Sequence, residues 1–85
     1  MNSSPIGMYS PKDYYNAALR DYTNWCARKY GDDEFTEAFL SLQKHKLGVD
    51  LIEETEVQTL ISLSKVLHGT AVRLRNNIEK WIETL

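Results

Sequence analysis

The apolar residues of the C-terminal third keep one heptad register, which constrains the fold more than any other feature of the chain. From Val57 to Leu85 they recur at alternating steps of three and four. The positions are Val57, Leu60, Ser64, Leu67, Ala71, Leu74, Ile78, Trp81 and Leu85. Such spacing puts side chains along one side of a helix. It predicts a continuous helix over residues 56–84, about 43 Å long at 1.5 Å per residue.

Gly69 and Thr70 lie in the middle of this register and suggest an interruption. Glycine is about 1 kcal/mol less favourable than alanine inside a helix, and Thr70 is a suitable N-cap for a new one. If the chain reversed at Gly69, residues 57–67 and 71–85 would form separate helices. Nothing would then require them to keep one register. The register therefore favours a continuous helix, and a four-helix bundle with a break at Gly69 is the alternative.

The first helix is predicted over residues 11–30, inside a single domain of residues 10–85. Ser10 is a good N-cap, Pro11 suits the first helical position, and Asp13 has capping-box spacing. Gly31 can take the left-handed conformation that ends a helix. Residues 1–9 lack any period and are predicted to form a flexible arm.

A second helix follows after a short connection. Acidic residues 32–34 suit its N-terminal end, basic residues 44–46 suit its last turn, and Gly48 is predicted to close it. Residues 50–54 are then a short turn that plugs the end of the bundle. Thr55 is the favoured cap of the third helix and Asp50 the other candidate.

These elements predict an all-α helical bundle, in which an antiparallel hairpin of helices one and two packs on a long C-terminal helix. The first two helices would reach about 30 Å and 20 Å, which is less than the third. The apolar stripe beyond them would need a second copy or another protein to cover it. Self-association or docking through the C-terminal helix is therefore expected.

Composition excludes several classes of protein. A chain of 85 residues is one domain, and its net charge of −2 gives no overall field that attracts nucleic acid or anionic membranes. No apolar run could span a bilayer, and the N-terminus does not resemble a signal peptide. The single cysteine excludes an internal disulfide and indicates a reducing compartment. We therefore expect a cytoplasmic protein without membrane contact.

No pattern in the sequence indicates catalysis. Cys26, His45 and His68 lie on three different predicted helices, which argues against a metal site. Cys26 falls in the apolar stripe of the first helix, where a thiol is inert. Nucleophile, phosphate-binding and dinucleotide motifs are all missing. The expectation is a protein that is not an enzyme and has no cofactor, metal or small-molecule substrate.

Nucleic-acid binding is the weaker alternative. The segment QKHKLGVD has the glycine of a helix-turn-helix corner, but Lys44 stands where that motif has a small residue. The helix that follows would begin DLIEETE, whose carboxylates would be repelled by phosphates. A nucleic-acid-binding regulator would instead use the basic face of the C-terminal helix.

The candidate partner-binding residues are four basic side chains and two tyrosines. No acidic residue occurs between Glu56 and Glu79, and this interval contains Lys65, His68, Arg73 and Arg75. Tyr14 and Tyr30 flank the buried stripe of the first helix, and tyrosine is enriched in protein interfaces. The sequence thus favours a small regulatory or protein–protein interaction module.

Overall fold

A computed structural model describes residues 14–85, with side chains from Asn16 onward, and this part of the chain is helical without strands. A π-helical turn, Tyr14–Ala18, leads into six helices: α1 Leu19–Tyr30, α2 Glu34–Lys44, α3 Val49–Ile52, α4 Val57–Ser64, α5 His68–Asn76 and α6 Ile78–Ile82. The predicted all-α fold is confirmed. The predicted arm of residues 1–9, the cap at Ser10 and the side chain of Tyr14 lie outside the described residues.

Helix α1 ends where its sequence predicts. Gly31 has a φ of 61° and donates its N–H to the Ala27 carbonyl, which also accepts the N–H of Asp32 at 3.0 Å. A residue with a Cβ is strained in this left-handed conformation, so glycine is favoured there. The turn at residues 31–33 brings α2 back against α1, which forms the helical hairpin.

Helix α2 begins as predicted but does not end at Gly48. Lys46 adopts the left-handed conformation, with a φ of 58°. Its N–H donates to the Gln43 carbonyl and that of Leu47 to the Leu42 carbonyl, at 3.0 and 2.9 Å. This pair of bonds defines a Schellman motif. The predicted stop at Gly48 is therefore wrong by two residues, and Gly48 is the extended residue before α3.

The short turn predicted at residues 50–54 is present as α3 and the two residues that follow it. Val49 and Ile52 are buried in the core beneath it, whereas Leu51 is exposed. Thr55 does not cap the next helix, because its hydroxyl donates backward to the Leu51 carbonyl at 2.8 Å. Helix α4 begins at Val57 instead.

The continuous C-terminal helix is not formed, because the chain bends at residues 65–67. Lys65 has a φ of 61° and ends α4, donating its N–H to the Ile61 carbonyl at 2.8 Å. The Glu34 carboxylate of α2 accepts the N–H of Leu67 at 3.0 Å and the hydroxyl of Thr70. This carboxylate stabilises the start of α5. The predicted alternative, a break at Gly69, lies a few residues late, since Gly69 is in the first turn of α5.

A second interruption separates α5 from α6 at Asn77. The Asn77 side-chain amide donates to the Arg73 carbonyl at 2.8 Å, and the Tyr22 hydroxyl donates to the Leu74 carbonyl at 2.6 Å. In an unbroken helix these carbonyls would accept the backbone N–H groups of residues 77 and 78. Side-chain donors that replace backbone donors are a recognised cause of helix kinks.

Both bends fold the C-terminal third back over the hairpin. Leu74, Ile78 and Trp81 are 0, 3 and 2% exposed, so they are buried within one molecule. The longest of the three C-terminal helices, α5, spans about 14 Å. The expectation of an apolar stripe too long for this fold to cover is therefore wrong. Self-association needs some other basis.

Candidate protein-binding surface

Five of the six predicted site residues have described side chains. Lys65, His68 and Arg73 are exposed, and Tyr30 and Arg75 are half-buried. Lys65 lies in the bend, His68 begins α5, and the two arginines follow in the same helix. The Tyr14 side chain lies outside the described residues.

The structure brings Tyr30 and Arg73 together. The Arg73 guanidinium carbon lies 4.2 Å from the centroid of the Tyr30 ring, well inside the range of a cation–π contact. Asn77 supports this pair, because its amide donates to the Tyr30 hydroxyl at 3.0 Å and to the Arg73 carbonyl at 2.8 Å. The Phe35 ring packs on Tyr30 with centroids 5.5 Å apart. Tyr30 is therefore a fixed platform for an exposed cation.

Lys29 and Trp25 extend this surface along α1. The Lys29 ammonium lies 5.4 Å from the Trp25 ring centroid and 5.8 Å from that of Tyr30. Trp25 is half-buried and its ring stacks on the buried Tyr22 ring. We call Trp25, Lys29, Tyr30 and Arg73 the aromatic–cation cluster. Sequence reasoning did not assign Trp25 and Lys29 to a site, although their four-residue spacing on one helix would have indicated their contact.

Arg75 does not belong to this cluster. Residues two positions apart on a helix are about 200° apart around its axis, so Arg73 and Arg75 point to different sides of α5. One Arg75 terminal nitrogen donates to the Glu53 carbonyl at 3.2 Å. Glu53, Asn76 and Glu79 line an open cleft together with Arg75. The basic residues of the C-terminal third thus engage different neighbours.

The aromatic–cation cluster presents two cations beside aromatic rings. Its two cations are exposed, and a guanidinium offers paired donors that match a carboxylate. The rings beside them supply flat apolar area with little side-chain freedom to lose on binding. An acidic ligand that also carries apolar groups would contact both features.

Metal binding or nucleophilic catalysis would depend on His, Cys, Asp and Glu side chains. Within residues 14–85, no set of three or more His, Cys, Asp and Glu side chains is close enough to hold a metal ion. Cys26 is fully buried in the core. Burial raises its pKa from 9.0 to about 11, although Tyr22 and Lys29 act in the opposite direction. The thiol is therefore protonated at neutral pH.

Alkaline pH should destabilise the fold through Cys26 and Tyr22. Burial, reinforced by Cys26, also raises the pKa of Tyr22 far above its ordinary 10.0. A raised folded-state pKa stabilises the fold below the unfolded-state pKa, and this stabilisation is lost as the pH rises. For Cys26 the loss falls between pH 9 and 11.

Urea titrations across this pH range should show a steadily decreasing free energy of unfolding. Cys26→Ala should reduce the slope between pH 9 and 11 relative to the wild type. A wild-type free energy of unfolding that stays constant to pH 11 would contradict this assignment.

Comparisons of the chain with family models, curated proteins and solved structures give no significant match. Among the described residues, no helix has both the length and the apolar character needed to cross a bilayer. The case for a function therefore rests on the geometry of the aromatic–cation cluster.

Proposed function

We propose that this protein is a small non-catalytic interaction module that binds an acidic segment of a partner protein through the aromatic–cation cluster. The observation that carries the proposal is the exposed Arg73 guanidinium held 4.2 Å above the Tyr30 ring. Arginine, tyrosine and tryptophan are the residues enriched at the energetic centres of protein interfaces. All three meet in this cluster.

Preorganisation adds to the support. The Asn77 amide holds the Tyr30 hydroxyl, and the Tyr30 ring rests on Phe35. Less side-chain entropy is lost on binding when side chains are already ordered. These contacts hold the rings beside the two cations before a partner binds.

A nucleic-acid-binding regulator remains the alternative, with weaker geometric support. The chain has a net charge of −2, and Arg73 and Arg75 engage different sides of α5. A phosphate backbone needs a continuous run of cations to release many counterions.

We also propose a cytoplasmic location. The chain has a single cysteine and its thiol is buried, which suits a reducing compartment.

Binding should depend on Arg73 and not on cations in general. A labelled glutamate-rich peptide panel, with and without aromatic and leucine residues, should bind the wild type in fluorescence anisotropy titrations, whereas lysine-rich peptides of equal length should not. We expect Arg73→Ala to weaken binding at least about tenfold, because it removes both the charge and the stacked cation.

Arg20→Ala is the matched control. Arg20 is another exposed arginine, with its guanidinium carbon 5.7 Å from the Phe39 ring centroid. It lies in the first turn of α1, whereas Trp25, Lys29 and Tyr30 lie in the second half of that helix. Its replacement should leave binding unchanged. Failure of every acidic peptide to bind would reject the proposal, and so would equal losses in the two variants. Tight, strongly salt-dependent binding of single-stranded RNA instead would favour the alternative.

A further inference from the structure

The bend at residues 65–67 is one of two arrangements that fit the sequence. The apolar register of Leu60, Ser64, Leu67, Ala71 and Leu74 runs through the bend without a shift, as in one helix. In the folded chain, α4 ends at Ser64 and α5 starts at His68. The sequence therefore retains the pattern of a straight helix in a region where the molecule is bent.

The bent arrangement has unfavourable features at two residues, Lys65 and Leu67. Lys65 has a φ of 61°, which is unfavourable for a residue with a Cβ. Leu67 is 74% exposed, although the register places it with the buried residues. A straight helix would return Lys65 to the right-handed region and align Leu67 with the core positions.

Contacts from outside the register hold the bend in place. Glu34 accepts the Leu67 N–H and the Thr70 hydroxyl, and Val66 is buried, with 4% exposure. In a straight helix the Leu67 N–H would bond to the Leu63 carbonyl, so Glu34 would lose this partner. The bond between Glu34 and the Leu67 N–H therefore stabilises only the bent arrangement.

We propose that residues 65–67 act as a hinge for domain exchange between two copies of this chain. On opening, α4 and α5 join into one helix from Val57 to Asn76, about 30 Å long. Helices α5 and α6 of each copy then occupy their usual place on the α1–α2 hairpin of the other copy. Short connections under strain are known to favour this exchange.

Apart from the bonds at the hinge, the exchanged dimer keeps the contacts that α5 and α6 make with the hairpin. Trp81 still packs on a Tyr22 ring, and a Tyr22 hydroxyl still bonds to a Leu74 carbonyl, but the partners now belong to different copies. The new contacts lie at the straightened hinge, where Leu67 of one copy meets that of the other. The inference does not depend on the proposed function.

Refolding from urea at millimolar and at micromolar protein concentration tests the hinge, with light scattering after size exclusion as the measurement. The wild type should give a slowly dissociating dimer at high concentration. Leu67→Ser should lower the dimer association constant at least about tenfold, because it removes two leucines that are buried only in the dimer. Leu40→Ser is the matched control, since Leu40 is 68% exposed on α2 and far from the hinge in sequence.

Two further variants change the bend in opposite directions. Lys65→Gly relieves the left-handed strain and should favour the monomer about fivefold per chain. Glu34→Ala weakens the bend and should increase the dimer association constant. Because Lys65→Gly favours the folded monomer, it stays informative even when Glu34→Ala fails to fold.

Nuclear Overhauser contacts in a mixed sample of labelled and unlabelled copies identify the exchange directly. Contacts between the Tyr22 ring of one copy and the Trp81 ring of the other are expected, since these centroids lie 5.4 Å apart in the monomer. A dimer in which these contacts stay within each chain would overturn the proposal. A wild type that is monomeric at every concentration, or equal effects of Leu67→Ser and Leu40→Ser, would do the same.

Discussion

Replacement of Trp81 by alanine should lower the free energy of unfolding by about 3–5 kcal/mol. Trp81 is 2% exposed, and its ring centroid lies 5.4 Å from that of Tyr22 at an interplanar angle of 54°. The substitution leaves a large cavity between α6 and α1. Folded domains are stable by roughly 5–15 kcal/mol, so the substitution should remove a large part of the stability.

Urea denaturation followed by far-ultraviolet circular dichroism at micromolar concentration measures this effect. Leu67→Ala is a suitable control, because Leu67 is 74% exposed and its truncation should change the free energy by less than about 0.5 kcal/mol. If Trp81→Ala cost no more than this control, α6 would not be sealed against the hairpin.

Tyr22→Phe should lower the free energy of unfolding by about 1–3 kcal/mol, although it removes a single oxygen atom. The Tyr22 hydroxyl donates to the Leu74 carbonyl at 2.6 Å in a fully buried site. When the hydroxyl is removed, the buried Leu74 carbonyl loses its side-chain hydrogen-bond donor. The same variant should also reduce the alkaline loss of stability, since Tyr22 contributes to it.

Tyr30→Phe is the matched control for Tyr22→Phe, because it removes a partly solvated hydroxyl and not a fully buried one. The Tyr30 hydroxyl accepts from Asn77, but Tyr30 is half-buried, so water can replace part of what is lost. Its effect should be smaller than that of Tyr22→Phe in the same urea titration. Equal effects would mean that Tyr22 does not hold the junction between α5 and α6.

Local signals in the sequence predicted the hairpin well. The left-handed Gly31 and the charges at the ends of α2 act within a few residues of the helix ends, so their effects can be inferred from the sequence alone. Lys46 and Lys65 show the limit of this approach. Both are left-handed, and nothing distinguishes these two lysines from others by residue type.

The long C-terminal helix was predicted wrongly because distant residues decide where it breaks. Glu34 bonds to Leu67 and Thr70, and Tyr22 bonds to Leu74. These bonds join residues far apart in the sequence, which a periodicity cannot reveal. The register placed Leu74, Ile78 and Trp81 on one apolar side, but the predicted cover, a second copy or another protein, was wrong, because the same molecule buries them.

The candidate site was predicted in its parts but not in its assembly. Tyr30 and Arg73 were both selected from the sequence, yet only folding of α5 against α1 places the guanidinium over the ring. Arg75 was selected on the same grounds and bonds to Glu53 instead. Residue type identifies candidates for binding, and the helix rotation decides which of them meet.

The rate at which Cys26 is alkylated can report the stability of the folded protein. It is the only cysteine of the chain and lies in the core with no exposed surface. An alkylating reagent can reach it only when the core opens, so the rate of modification follows the population of open molecules. Alkylation of intact cells, followed by mass spectrometry of the extracted protein, would therefore compare the stability of variants inside cells, where urea titrations are impossible.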